Sequence, residues 1–205
     1  PSICRLDTIG LSAQGRLLLA LKISDNAAVR EDEPQCLYTS SMHGNEVVGY
    51  VLLLRLADHL LNNYGMATAE GIRATRLVDN MELWVNPLFN PDGTYRLGGD
   101  TTVANSRRFN ANGYDLNRNF PTHFQPQIRP KALAPLFWSF GTQSRSEPEV
   151  DALLAHVDEL VARGARVTHA LALHSCGRKV LYPYGGRWRP PVDVAVVRRG
   201  LGGSW

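Results

Sequence analysis

A histidine and a glutamate stand three positions apart in the segment His43-Gly44-Asn45-Glu46. The segment opens a stretch with helical periodicity, and side chains three positions apart share one face of a helix. His43 and Glu46 can therefore converge on one cation. Imidazole and carboxylate suit Zn²⁺, and a catalytic zinc takes three protein ligands and a water molecule. Because the chain has six histidines, such a pair also arises readily by chance and does not indicate a metal site by itself.

His174 is the natural third ligand. It ends the apolar run Leu171-Ala172-Leu173, and a strand over that run would bring it to the sheet edge where His43 is expected. Taken alone, His174 is better explained as a core histidine with one satisfied hydrogen bond. The other four histidines are weaker candidates for ligands: His59, His123, His156 and His169.

Arginine and asparagine are concentrated in residues 107–121, a segment without helical or strand periodicity. Arginine is the side chain best suited to bidentate capture of a planar carboxylate, and asparagine adds a neutral donor. Turn formation explains Asn112-Gly113. It does not explain why Asp115, Asn117 and Arg118 stand together, so the segment indicates recognition of a carboxylate.

The elements that would position these residues alternate between strands and helices along the chain. Short apolar runs predict strands at residues 16–23, 36–40, 81–85, 167–174 and 179–183, the fourth of them buried. Helical spacing predicts a helix over residues 45–62. A capping box at Ser146-Glu147-Pro148-Glu149 predicts a second helix that ends near Arg163. This alternation indicates an α/β domain with a substantially parallel sheet, whose ligand sites lie beyond the carboxyl ends of the strands.

The composition excludes several classes of protein. The chain of 205 residues is 44% hydrophobic and 20% charged, which is enough to form a core and excludes a disordered protein. No apolar run approaches the roughly 18 residues of a membrane span. The net charge of +3 is spread along the chain, so we predict no nucleic-acid partner. Three widely spaced cysteines exclude a disulfide scaffold and a CxxC zinc site, and leave one bridge open.

Four motifs in order resemble the zinc metallocarboxypeptidases of the M14 type. They are Met42-His43-Gly44-Asn45-Glu46, Asn90-Pro91-Asp92-Gly93, residues 108–121, and His174-Ser175 followed by Leu181-Tyr182-Pro183-Tyr184. The first and third look most like the carboxypeptidase N/E-like branch, and the last looks closer to the carboxypeptidase T-like branch, so both branches stay open. The resemblance implies a mixed, largely parallel twisted sheet with helices on both faces.

The resemblance also implies roles for individual residues. His43, Glu46 and His174 would hold one Zn²⁺ per chain, and Asp115 would fix a ligand imidazole. The bound ion would lower the pKa of its water towards 7.

For the substrate, the resemblance implies a peptide or protein C-terminus. Asn117 and Arg118 would clamp its terminal carboxylate, and Arg108 would polarise the scissile carbonyl and stabilise the oxyanion. The compartment stays open from the residues alone, and the resemblance favours a secreted or periplasmic location.

The sequence departs from the family pattern after His174. The family uses a glutamate general base on a later strand, whereas Asp193 is the only acidic residue after His174. We therefore expect residues 1–186 to form a partial catalytic domain without its last strands, and residues 187–205 to form an atypical tail. Little or no turnover is expected from such a chain.

Three functions fit these observations. A metallocarboxypeptidase accounts for all four motifs. A non-catalytic module that binds zinc and a peptide carboxylate accounts for the missing glutamate. A zinc N-acyl amino acid deacylase also uses His-x-x-Glu, but Asn90-Pro91-Asp92-Gly93 and the asparagine-rich segment favour a carboxypeptidase.

Overall fold

A five-stranded mixed sheet forms the centre of the computed structural model, which describes residues 3–96, 102–121, 141 and 143–175. The strand order is β1-β2-β4-β3-β5. The strands are β1 (Cys4–Leu11), β2 (Leu17–Ile23), β3 (Gln35–Ser40), β4 (Glu82–Asn86) and β5 (Val167–Leu173).

Parallel and antiparallel pairings divide the sheet. The first strand pairs antiparallel with β2, and β2 pairs antiparallel with β4. The third strand pairs parallel with β4 on one side and with β5 on the other. The predicted α/β class with a mixed sheet is confirmed. The strand at the antiparallel end of the sheet, β1, was not predicted from the sequence.

Helices cover both faces of the sheet, as predicted. The helices are α1 (Val48–Asn63), α2 (Ala69–Val78), the short α3 (Pro91–Thr94) and α4 (Pro148–Ala162). Side chains alternate across a strand, so Leu83 and Val85 pack with α1 and α2, while Trp84 between them packs with α4. None of the described helices is long and apolar enough to cross a membrane.

Three local predictions were wrong. The first helix begins at Val48 rather than at residue 45. The second begins after Glu147 without the predicted capping box, because the Ser146 N–H donates to the Gln143 carbonyl and the Glu149 carboxylate accepts from Ala13 and Asn110 instead. The fifth strand is exposed over residues 168–172 rather than buried, since among the described strands it pairs only with β3.

Other expectations lie outside the described residues. They are the strand at residues 179–183, His123, and the atypical tail at residues 187–205.

Candidate metal centre

His43, Glu46 and His174 converge at one edge of the sheet. The Nδ1 atom of His43 lies 2.9 Å from Glu46 Oε1, and the Nδ1 atom of His174 lies 2.8 Å from Glu46 Oε2. One donor atom from each residue lies within 4.8 Å of the other two. The Ser175 N–H donates to the same Glu46 oxygen at 3.1 Å. The two oxygens of Glu46 thus each face one imidazole.

Two neighbouring parallel strands deliver the histidines to this edge. The last residue of β3, Ser40, stands opposite Leu173, the last residue of β5. His43 follows β3 by three residues and His174 follows β5 directly. Because the carboxyl ends of parallel neighbours meet at one edge, the two imidazoles come together, with ring centroids 4.8 Å apart.

His43 and Glu46 lie in a turn before α1, not on the helix that the spacing predicted. The Glu46 N–H donates to the His43 carbonyl at 2.9 Å, which closes the turn and brings the two side chains together. Gly44 lies so close to α3 that a Cβ atom there would sit 2.4 Å from the Gly93 carbonyl carbon. Thr94 Oγ1 also donates to the Gly44 carbonyl at 2.8 Å. Only glycine allows this approach.

The Asn90-Pro91-Asp92-Gly93 motif joins the turn to the arginine-rich segment. The Asn90 amide donates to the carbonyls of Met42 and Arg108, and its Oδ1 accepts the Gly93 N–H. Asp92 is buried and accepts from the β1–β2 hairpin through Ser12 Oγ at 2.9 Å. The motif therefore holds the scaffold beneath the site rather than forming part of it.

Asp115 connects the histidine cluster to Arg108. Its Oδ1 lies 3.2 Å from His43 Nε2, and its Oδ2 accepts from the Arg108 guanidinium at 2.8 and 2.9 Å. Asp115 is fully buried, whereas the Arg108 side chain is one-third exposed. Once a metal ion is bound, an imidazole whose Nε2–H donates to a carboxylate can offer its Nδ1 lone pair to the ion.

Both buried carboxyl groups are held in the charged form. Burial acts to raise the pKa of Glu46, but hydrogen bonds from His43, the Ser175 N–H and His174 bring it below its usual value. Burial likewise acts to raise the pKa of Asp115, and the hydrogen bonds and charges of His43 and Arg108 lower it. Ionised carboxylates are the form that a metal ligand and its supporting residue require.

Asn117 and Arg118 lie on a short 3₁₀ helix, Leu116–Arg118, whose N-terminus is capped by Asp115. The Asn117 N–H donates to Asp115 Oδ1 at 3.0 Å, the same oxygen that faces His43. Asn117 is exposed and Arg118 is half-buried. The two residues predicted to bind a carboxylate thus lie two and three positions after Asp115, the aspartate that contacts His43.

A buried amide–carboxylate network, which the sequence pattern does not predict, supports this segment. The Asn110 amide donates to Glu147 Oε2 at 2.7 Å and to Glu149 Oε2 at 3.1 Å. Its Oδ1 accepts the Tyr114 N–H at 3.0 Å. All three polar side chains in this contact are buried. The sequence Ser146–Glu149 predicts the start of a helix, but it does not predict that Glu147 and Glu149 accept hydrogen bonds from Asn110.

The donor set fits Zn²⁺. Two imidazole nitrogens and a carboxylate oxygen are the ligand types of catalytic zinc sites, which keep a further position for water. The Asp115 carboxylate behind His43 is the supporting contact that ligand histidines usually have. The cluster can therefore hold a divalent ion with His43 in a fixed orientation.

The family profile for zinc carboxypeptidases matches residues 1–199. The chain belongs to the zinc carboxypeptidase family. Membership of the family implies zinc as the metal.

Individual relatives agree with this assignment. The chain is similar to carboxypeptidase D of Mus musculus, with 39% identity over 142 residues, which are 67% of this chain and 10% of that protein. It is 37% identical to the carboxypeptidase N catalytic chain of Rattus norvegicus over 171 residues, 78% of this chain and 36% of the relative. The chain thus spans a minor part of the length of these relatives.

A solved structure shares the fold. Carboxypeptidase A from Helicoverpa armigera aligns with a TM-score of 0.75 and 24% identity, over 97% of this zinc carboxypeptidase chain and 47% of that structure. This likeness supports the mixed α/β architecture.

Proposed function

We propose that the chain is the zinc-binding and carboxylate-binding part of a metallocarboxypeptidase, which hydrolyses the C-terminal peptide bond of peptides or proteins. The observation that carries the proposal is the contact of one buried carboxylate, Asp115, with both His43 and Arg108. This contact supports the proposal because one carboxylate joins a candidate metal ligand to the residue proposed as the oxyanion donor. We propose one Zn²⁺ per chain, held by His43, Glu46 and His174.

A zinc ion held by His43, Glu46 and His174 would supply Lewis acidity, which would acidify a water molecule and polarise the scissile carbonyl. Asp115 keeps the His43 proton on Nε2 and holds the guanidinium of Arg108 in place. Arg108 then donates to the oxyanion that develops on the carbonyl oxygen. A preorganised donor of this kind stabilises the transition state by about 3–4 kcal/mol in other hydrolases.

Asn117 and Arg118 are proposed to recognise the free α-carboxylate of the substrate. A charge-assisted contact of this kind contributes about 1.5–3 kcal/mol, so a peptide should bind roughly 10- to 150-fold more tightly than its C-terminal amide. Arg118→Ala should remove most of that difference. Isothermal titration calorimetry of the zinc-loaded chain with both peptides measures it.

Arg76→Ala is the matched control for that titration, because it removes an exposed arginine on α2, away from the cluster. It should leave the preference for the free carboxylate intact. Equal affinity for peptide and amide in the unmodified chain, or an unchanged preference in Arg118→Ala, would contradict the proposed role.

A second candidate function is a module that binds zinc and a peptide carboxylate without turnover. The feature that bears on it is the segment 175–205, in which Asp193 is the only acidic residue; a polypeptide of these 205 residues would therefore be without a glutamate general base. General acid–base catalysis contributes a factor of roughly 10²–10⁴ in rate. Without the group that carries the proton to the leaving amine, the chain should bind its substrate and turn it over slowly.

We therefore expect the 205-residue chain to hydrolyse a blocked dipeptide at least 100-fold more slowly than a family member that carries the glutamate. Both proteins are assayed with zinc bound and with a chelator as the blank. A rate within tenfold of the complete enzyme would show that the chain contains its own base, and Asp193→Asn would then test that residue.

The remaining proposals concern organisation and location. We propose that residues 1–186 are a partial catalytic domain and residues 187–205 an atypical segment, and that the protein acts in a secreted or periplasmic compartment.

A further inference from the structure

Ser41 has a backbone conformation that a serine rarely adopts. Three non-glycine residues in the described part of the chain have a positive φ, namely Ser41, Asn105 and Arg145. Asn105 is exposed and Arg145 is half-buried, whereas Ser41, with a φ of 53°, is fully buried. Left-handed residues other than glycine persist only where the surrounding structure holds them, and they are concentrated at functional sites.

The position of Ser41 is between the end of β3 and the turn that carries His43 and Glu46. Its Oγ donates to the Glu46 carbonyl at 3.0 Å, in a buried contact. Its own carbonyl accepts the Asn90 N–H at 3.2 Å. Ser41 therefore connects the start of the turn both to its last residue and to the scaffold motif beneath it.

The two properties of Ser41 oppose each other energetically. A glycine would adopt the positive φ at less cost, because it has no Cβ atom. A glycine has no hydroxyl, however, and only the hydroxyl reaches the Glu46 carbonyl. Ser41 thus has an unfavourable backbone conformation, but its hydroxyl makes the hydrogen bond that fixes Glu46 at the other end of the turn.

We propose that Ser41 is a positioning residue for the metal centre, whose hydroxyl bond to the Glu46 carbonyl holds the His43–Glu46 turn in its ion-binding shape. The inference rests on the proposed zinc ligands. Nothing in the sequence pattern marks Ser41, because neither its left-handed backbone nor its contact with Glu46 can be read from residue types.

Two variants separate the hydroxyl from the backbone. Ser41→Ala removes the hydroxyl and keeps the Cβ atom, and Ser41→Gly removes both. Both should bind Zn²⁺ 10- to 100-fold more weakly, the usual effect of losing a contact that orients a ligand. The metal-free Ser41→Gly protein should unfold at the same temperature as Ser41→Ala or above it, because glycine relieves the strained φ. Affinity is measured by competition with a chromophoric chelator and unfolding by circular dichroism.

The visible spectrum of the Co²⁺-loaded protein adds a readout that stability alone does not move. Its d–d bands should change in both Ser41 variants, because Glu46 is no longer held at the same angle. Ser40→Ala is the matched control, since Ser40 Oγ also donates to a backbone carbonyl, that of Pro87, from a buried position. Its Zn²⁺ affinity should stay within threefold of that of the unmodified chain.

The outcomes distinguish this inference from the proposed function. Zinc affinity within threefold of the unmodified chain in Ser41→Gly, which can adopt the φ and fold, overturns the role of Ser41. An equal loss in Ser40→Ala also overturns it. If His43→Ala binds zinc like the unmodified chain, the proposed ligand set itself is wrong; if His43→Ala loses zinc while the Ser41 variants keep it, only the present inference fails.

Discussion

His43→Ala and His174→Ala should each lower the zinc affinity of the chain at least 100-fold. Removing a group that merely orients a ligand already costs 10- to 100-fold, and each of these variants removes a ligand itself from a set of three. After dialysis, metal analysis should find about one equivalent of zinc in the unmodified chain and almost none in either variant. The two losses should match, because the histidines face opposite oxygens of Glu46.

His59→Ala is the control, since it removes an exposed imidazole from α1. It should retain zinc as the unmodified chain does. Circular dichroism must show that every variant is folded before its metal content is compared. Full zinc content in both folded His43→Ala and folded His174→Ala would rule out the ligand assignment.

The sequence predicted the parts of the fold that depend on local pattern. Four apolar runs became β2 to β5 within about one residue at each end. For β2, β3 and β4 the reason is burial, because buried strands need consecutive apolar side chains. The run over β5 predicted the strand but not its exposure. The first strand was missed since its polar residues, among them Arg5 and Asp7, interrupt the apolar run. Its edge position lets these side chains reach solvent.

The convergence of His43 and His174 at one sheet edge could be predicted because it follows from strand order. His43 and His174 come after two strands, and parallel neighbours place such residues at one edge. The turn geometry could not be predicted in the same way. The spacing of His43 and Glu46 suits a helix as well as a turn. The turn depends on the close approach of Gly44 to Gly93 and on the hydrogen bond from the Ser41 hydroxyl to the Glu46 carbonyl. These contacts join parts of the chain that no local pattern relates.

Asn110→Asp should destabilise the fold more than a typical substitution. The amide gives one N–H to each of two buried carboxyl groups, those of Glu147 and Glu149. Aspartate would remove both donors and add a third carboxyl group to the same buried space. Leaving a buried charge without its partner costs about 3–5 kcal/mol, a large share of the roughly 5–15 kcal/mol that stabilises a domain. Urea denaturation at neutral pH measures the loss in the free energy of unfolding.

The sign of the pH dependence separates this cause from a simple packing defect. The main effect on the pKa of Glu149 is burial, which raises it above its usual value of 4.5. Hydrogen bonds donated by Ala13 and Asn110 act to lower this pKa but do not offset the effect of burial. A raised folded-state pKa contributes stability that is fully present below the unfolded value and is lost as the pH rises through the folded value. The added carboxyl group should behave in the same way, so the deficit of Asn110→Asp should shrink as the pH falls from 7.5 towards 4.5. A packing defect would leave the deficit independent of pH.

Asn112→Asp is the matched control, because Asn112 also donates to Glu147 Oε2, at 2.9 Å, but is exposed. Solvent screens its charge, so the loss should stay below about 1 kcal/mol. Asn110→Asp should also affect zinc binding, because Asn110 lies between Arg108 and Asp115 in the chain, and Asp115 contacts His43. A folded Asn110→Asp protein should therefore bind zinc more weakly at neutral pH, while Asn112→Asp should not. Equal losses of stability in the two variants would show that burial of the Asn110 contact is not what holds this segment.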